Sequence, residues 1–165
     1  MMIKVIGIDP GLRNTGWGLI GVKGNHLTHI AHGVVRSTDK ASMAQRLAEL
    51  FRGLEDVMET HSPHEAAVEE TFVNMNPTST LKLGLARGMA MVVPALRKMC
   101  VAEYSANRIK KAVVGVGHAD KKQMSHMVQI LLPTAGEVKL DAADALAVAI
   151  CHAHFRLHDI LKGQQ

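Results

Sequence analysis

The sequence predicts an α/β fold, a mixed β-sheet flanked by helices on both faces. Three observations predict it. Residues 3–36 carry loose two-residue alternation broken by Gly-containing turns. From Met43 onward, stretches with apolar side chains three or four apart alternate with short runs rich in Val and Ala. Three strands followed by alternating helices and strands call for both antiparallel and parallel pairing, with helices covering the sheet.

Residues 3–9, Ile-Lys-Val-Ile-Gly-Ile-Asp, read as a buried strand ending in a carboxylate, after which Pro10-Gly11 turns the chain. Residues 15–22 and 27–36 alternate around Lys23-Gly24-Asn25, which makes the first three segments an antiparallel meander. Met43, Leu47, Leu50, Phe51, Leu54, Val57 and Met58 share one helical face. Asp39 or Ser42 caps that helix and His61-Ser62-Pro63 ends it. Ala66-Ala67-Val68 is a short buried strand arriving at Glu69 and Glu70. Asn76-Pro77 opens a helix running to about Lys98, with a kink expected at Pro94. Val101 to Tyr104 is a further strand. Ser105 to Val114 and Asp120 to Leu132 are helices around the loop Gly115-Val116-Gly117, the second stopped by Pro133. The last helix runs from Leu140 to about His158.

With 165 residues, 47% of them hydrophobic, the chain suits one domain over residues 1–165, its last few residues a disordered tail. A charged fraction of 21% argues against disorder as a whole. The opening apolar run is too short for a signal peptide, and Met89 to Leu96 is too short to span a bilayer. Cys100 and Cys151, without CxxC spacing, fit a reducing cytoplasm and are both expected to be buried. A net charge of +4 permits nucleic acid as a partner without requiring it. Five aromatic residues are too few for a broad base-stacking platform. Ten histidines, with only His154 and His158 at an isolated four-residue spacing, do not predict a zinc site.

Four acids stand out by position. Asp9 and Glu69 each end a strand, while Asp141 and Asp144 share a face at the start of an Ala-rich helix. Ala142, Ala143, Ala145, Ala147 and Ala149 would let that helix approach a sheet closely. If the two strands are neighbours and the helix packs over their ends, the four converge. Clustered carboxylates resist ionisation without a counter-charge, which a divalent metal supplies. Hard oxygen ligands select Mg²⁺ or Mn²⁺ over zinc, and two such ions can activate water and stabilise the leaving oxygen of a phosphodiester. Taken singly, each acid has an ordinary explanation: a turn residue, a helix-dipole partner or a solvated strand end.

Lys110, Lys111, Lys121 and Lys122 surround the Gly-containing loop, where they either neutralise phosphates or form a solvated face. Phe72, in the polar setting Thr71-Phe72-Val73-Asn74, suits an apolar wedge between bases as well as a core position. Gly84 and Gly88, beside Leu81, Leu85 and Met89, form a groove for an identical helix or for the chain's own sheet.

Five segments together resemble the RuvC family of junction-resolving endonucleases. They are Gly7 to Gly18 (GIDPGLRNTGWG), Val68 to Phe72 (VEETF), Leu81 to Gly88 (LKLGLARG), Val113 to Gln123 (VVGVGHADKKQ) and Asp141 to Ile150 (DAADALAVAI). The first alone is unspecific, since actin-like ATPases and sugar kinases also carry Asp-x-Gly after their first strand. The resemblance implies an RNase H-like fold and a homodimer that resolves four-way (Holliday) DNA junctions by paired symmetric nicks in recombination and repair. It implies that Asp9, Glu69, Asp141 and Asp144 are the catalytic, metal-holding quartet, with two Mg²⁺ per site or Mn²⁺ in their place. It assigns DNA contacts to Phe72, Lys110 and Lys121, and implies cooperation with the RuvA–RuvB branch-migration complex. Glu70 departs from the family pattern, where a neutral residue is expected, and Pro94 interrupts the helix that resembles the family's dimer helix.

Overall fold

The computed structural model describes residues 1–70 and 75–162, with side chains described up to residue 156. The readings of Phe72 as a wedge and of a disordered C-terminal tail fall outside the described residues.

The meander forms as expected from strands β1 (Ile3–Asp9), β2 (Asn14–Lys23) and β3 (His26–Arg36), and helix α1 (Met43–His61) follows. Ser42 caps α1 in a reciprocal box with Gln45, and Ser62 ends it in the left-handed region. Strand β4 (Glu65–Glu69) leads to α2 (Pro77–Leu96) and β5 (Cys100–Tyr104). Helices α3 (Ala106–Val114), α4 (Lys121–Leu131) and α5 (Leu140–Lys162) complete the order. The sheet order is β3-β2-β1-β4-β5. β1 pairs antiparallel with β2 and parallel with β4, so the sheet is mixed and the ends of β1 and β4 lie side by side.

Alternation in the central strands divides the core in two. Ile6, Ile8, Ala66 and Val68 face α1 and α2, packing on Leu50, Leu54 and Val93. Val5 and Ala67 face the other way, onto α5 and the α3–α4 pair. A strand buried on both faces has no polar side, which is why IKVIGID reads as a continuous apolar run. Asp9 and Glu69 fall on the α5 side by the same two-residue count as Val5 and Ala67.

Four details differ from expectation. Cys100 is exposed, because it opens the edge strand β5, whereas Cys151 is buried in α5. Met89 turns into the core, leaving Leu81 and Leu85 exposed on α2. α2 ends two residues beyond Pro94, which is itself buried. α5 runs on to Lys162 rather than stopping near His158. Among the described residues, no helix is long and apolar enough to cross a membrane.

Candidate active site

The carboxyl ends of two parallel strands and the start of one helix build the site. Asp9 closes β1, and Glu69 closes its neighbour β4. Asp141 and Asp144 lie in the first turns of α5, which must cross the sheet closely to bring them in. The sheet yields to that helix at Gly7 and Gly16. A Cβ at Gly7 would lie 2.1 Å from the Ala145 carbonyl oxygen, and one at Gly16 would lie 2.1 Å from that of Asp141. The alanines of α5 are thus only half of the close fit. The glycines opposite them were legible only as part of a motif, because nothing local indicates which element a strand glycine will face.

Asp9, Glu69 and Asp144 line one cleft of about 540 Å³ with Lys110, Asp120, Lys121 and Met124. Asp141 is not among the residues lining that cleft, but its charge acts on both Asp9 and Asp144. Burial, the charge of Glu69 and a hydrogen bond with Glu69 push the Asp9 carboxyl up to about 9, with smaller contributions from Asp144 and Asp141. Burial also raises Glu69, against the Asp9 hydrogen bond and the charges of Lys110 and Lys121. Asp144 is raised chiefly by burial and held back by Lys121. Without a cation, the pair Asp9–Glu69 therefore shares a proton near neutral pH.

Local structure fixes the helices that carry the lysines. Ser105 caps α3, and the Arg108 guanidinium lies 4.2 Å from the centre of the Phe155 ring and 5.1 Å from that of Tyr104. Lys110 follows on the same short helix. Lys121 opens α4, which Asp120 and Gln123 cap reciprocally. Glu70 is exposed, its backbone N–H donates to the Tyr104 carbonyl, and it is not among the residues lining the cleft.

One feature escaped sequence reasoning. Tyr104 and Glu65 meet His152 on either side of its ring, at 2.9 Å from Nδ1 and 2.8 Å from Nε2. Arg156 donates to both carboxylate oxygens of Glu65. This largely buried chain ties β4 and β5 to α5, with Glu65 at the opposite end of β4 from Glu69. Its hydrogen bonds join residues 48, 87 and 91 apart in sequence, beyond the reach of any local pattern.

All-oxygen anionic donors, partly desolvated and sharing a proton, are chemically suited to a hard divalent cation. Among the described residues, no three His, Cys, Asp or Glu side chains already form a ligand cage.

Residues 5–152 match the family model described as crossover junction endodeoxyribonuclease RuvC. The chain belongs to the RuvC family. A RuvC from Mesorhizobium japonicum is 59% identical over 154 residues, covering 93% of this chain and 91% of that one. One from Rhodospirillum rubrum is 58% identical, with 93% and 91% covered. Thermus thermophilus RuvC in complex with a Holliday junction substrate superposes with a TM-score of 0.87 at 29% identity, over 95% of this chain and 96% of that chain. The yeast mitochondrial Holliday junction resolvase Ydc2 shares the fold at 15% identity, with a TM-score of 0.66 over 93% and 83% of the two chains. The fold is thus the RNase H-like one of RuvC and related resolvases.

For a RuvC-family cleft of this kind, Lys121→Gln has a signed consequence. Lys121 lowers the proton affinity of Glu69 and Asp144. Its loss raises both, so fewer sites are ionised at a given pH. The acid limb of a pH–rate profile should move to higher pH, and the plateau rate should fall by about 100-fold through lost charge stabilisation. An unshifted limb would contradict this role.

Proposed function

We propose that this chain is a metal-dependent crossover junction endodeoxyribonuclease that resolves four-way DNA junctions. The observation that carries the reading is the convergence of Asp9, Glu69 and Asp144 from three elements on one lysine-flanked cleft, in a chain of the RuvC family. Asp9, Glu69, Asp144 and Asp141 would hold Mg²⁺, two ions per site, or Mn²⁺. Bound there, the metal supplies an activated water and charge stabilisation at the phosphorus. The chain's own residues do the rest. Burial keeps the acids in fixed positions and excludes bulk water. Lys110 and Lys121 face the incoming phosphate and neutralise it. Phe72, which follows Glu69 by three residues, is proposed to contact the bases beside the cut.

A four-way junction presents two equivalent strands, so a two-fold dimer can nick both. α2 offers the dimer surface. Leu81, Leu85, Val92 and Leu96 are exposed at 71%, 47%, 48% and 65%. Gly84 and Gly88 have open space where side chains would stand. Gly84→Leu should leave the fold of one chain intact, because among the described residues no other part of the chain comes within 4 Å of where its Cβ would stand. It should block the close approach of a second α2, giving a monomer by light scattering and loss of paired nicking. A Gly84→Leu protein that stays dimeric would remove α2 from the interface.

We extend the proposal to the setting of the reaction. The whole chain works as one nuclease domain in the cytoplasm, beside the branch-migration proteins RuvA and RuvB. The functional test offers the protein a synthetic mobile four-way junction, linear duplex and RNA–DNA hybrid of matched sequence, each with Mg²⁺. Symmetric paired nicks in the junction alone are expected. Equal cleavage of the hybrid would redirect the reading to another nuclease substrate.

A further inference from the structure

We propose that the side of the acidic cleft away from Lys110 and Lys121 is a second cradle for the DNA backbone, in which Arg13 and Arg36 each take a phosphate and Asp39 competes for Arg13. The proposal rests on the junction-binding reading above and names a further part of that surface.

Strand direction places these residues. β1 ends at Asp9, β2 begins at Asn14, β3 ends at Arg36 and α1 begins at Met43. The β1–β2 turn and the β3–α1 connection therefore lie on the sheet edge that carries the acids. In the order β3-β2-β1-β4-β5, Arg36 sits beyond Asp9 on the β3 side, whereas α3, which carries Lys110, follows β5. Arg36 and the loop of Arg13 thus lie at the acid-bearing end of the sheet, on the side of Asp9 away from β4 and β5.

The two loops are bound into one rigid unit. The Ser37 N–H donates to the Arg13 carbonyl at 3.1 Å, and the Ser37 hydroxyl donates to the Leu12 carbonyl at 2.5 Å. Arg46 Nε donates to that hydroxyl at 3.0 Å. Thr38 donates through its N–H and its hydroxyl to Glu49. Asp39 is held between Arg13 at 3.1 Å and Arg46 at 3.5 Å.

Exposure separates the roles of the two arginines. The Arg46 side chain is 15% exposed and serves the loop, whereas that of Arg13 is 74% exposed and reaches into solvent. Arg36 and Lys40 are exposed beside it. The groups facing solvent here are thus Arg13, Arg36 and Lys40 against Asp39, while Glu49 is occupied by Thr38. An exposed ion pair is weak in water and exchanges readily. A backbone phosphodiester carries the same single negative charge and offers the guanidinium fork two free oxygens, whereas Asp39 divides its two between Arg13 and Arg46. A guanidinium on a fixed loop also loses little freedom on binding.

The test measures binding of the full chain to a fluorescent four-way junction by anisotropy, without divalent metal, over a range of salt. Arg13→Gln and Arg36→Gln should each make the log–log salt dependence shallower by about one per bound subunit and weaken binding several-fold. Asp39→Asn should do the opposite, steepening the dependence and tightening binding. Lys23→Gln, at the far end of β2, should change neither. Normal wild-type binding with the same slope in all four variants would overturn this cradle and leave Arg13–Asp39 a loop-closing pair only. No junction binding by the wild type would overturn the functional reading and the cradle with it.

Discussion

Gly16→Ala is expected to lower junction cleavage by at least about 100-fold and stability by about 2–3 kcal/mol. The added Cβ would lie 2.1 Å from the Asp141 carbonyl oxygen and 2.6 Å from its carbonyl carbon. Both are backbone atoms at the start of α5, so no rotamer relieves the clash. Helix and strand must separate, and Asp141 moves with the helix. Gly7→Ala meets the backbone further along α5, 2.1 Å from the Ala145 oxygen and 2.5 Å from the Ala149 nitrogen. Its loss of stability should be similar, measured by chemical denaturation, but its loss of activity smaller. Equal activity losses would mean that the glycines serve packing alone. Full activity in Gly16→Ala would contradict the claim that close approach of α5 builds the site.

Asp9→Asn should lower the cleavage rate by about 1000-fold or more while making the metal-free protein more stable, since it removes a proposed metal ligand and a source of charge repulsion together. The sign follows from the raised carboxyl. Asp9 moves from 3.8 to about 9 on folding. Below the lower value, folded and unfolded chains both hold the proton, and the group costs nothing. Between the two values the unfolded chain ionises while the folded site keeps its proton, so wild-type stability without metal falls as pH rises. Asparagine cannot ionise, so that decline should flatten in the variant. At pH 8 its Tm should exceed that of the wild type by about 4 °C or more. Mg²⁺ should raise the wild-type Tm at that pH and leave the variant nearly unmoved. A wild-type stability independent of pH from 5 to 8 without metal would contradict the coupling of Asp9 to Glu69.

The elements were legible because their signals are local. IKVIGID, the spacing of Leu50, Leu54 and Met58, and the caps Ser42 and Asp120 each lie within one stretch of chain. The candidate acids were legible as positions, at strand ends and a helix start. Their meeting depends on β1 and β4 pairing in parallel, a long-range fact that spacing does not encode. For the same reason the Tyr104–His152–Glu65–Arg156 chain was invisible, and so were the partners of Gly7 and Gly16. Cys100 was misplaced because a strand residue's burial depends on whether its strand lies at the sheet edge.

The most direct test of the central claim compares wild type, Asp9→Asn and Asp144→Asn on one synthetic four-way junction, scoring binding and Mg²⁺-dependent nicking in the same samples. Paired symmetric nicks by the wild type alone, with junction binding kept by both variants, are the predicted result. Cleavage by either variant at the wild-type rate, or a folded wild type that binds the junction and cuts nothing with Mg²⁺ or Mn²⁺, would contradict it.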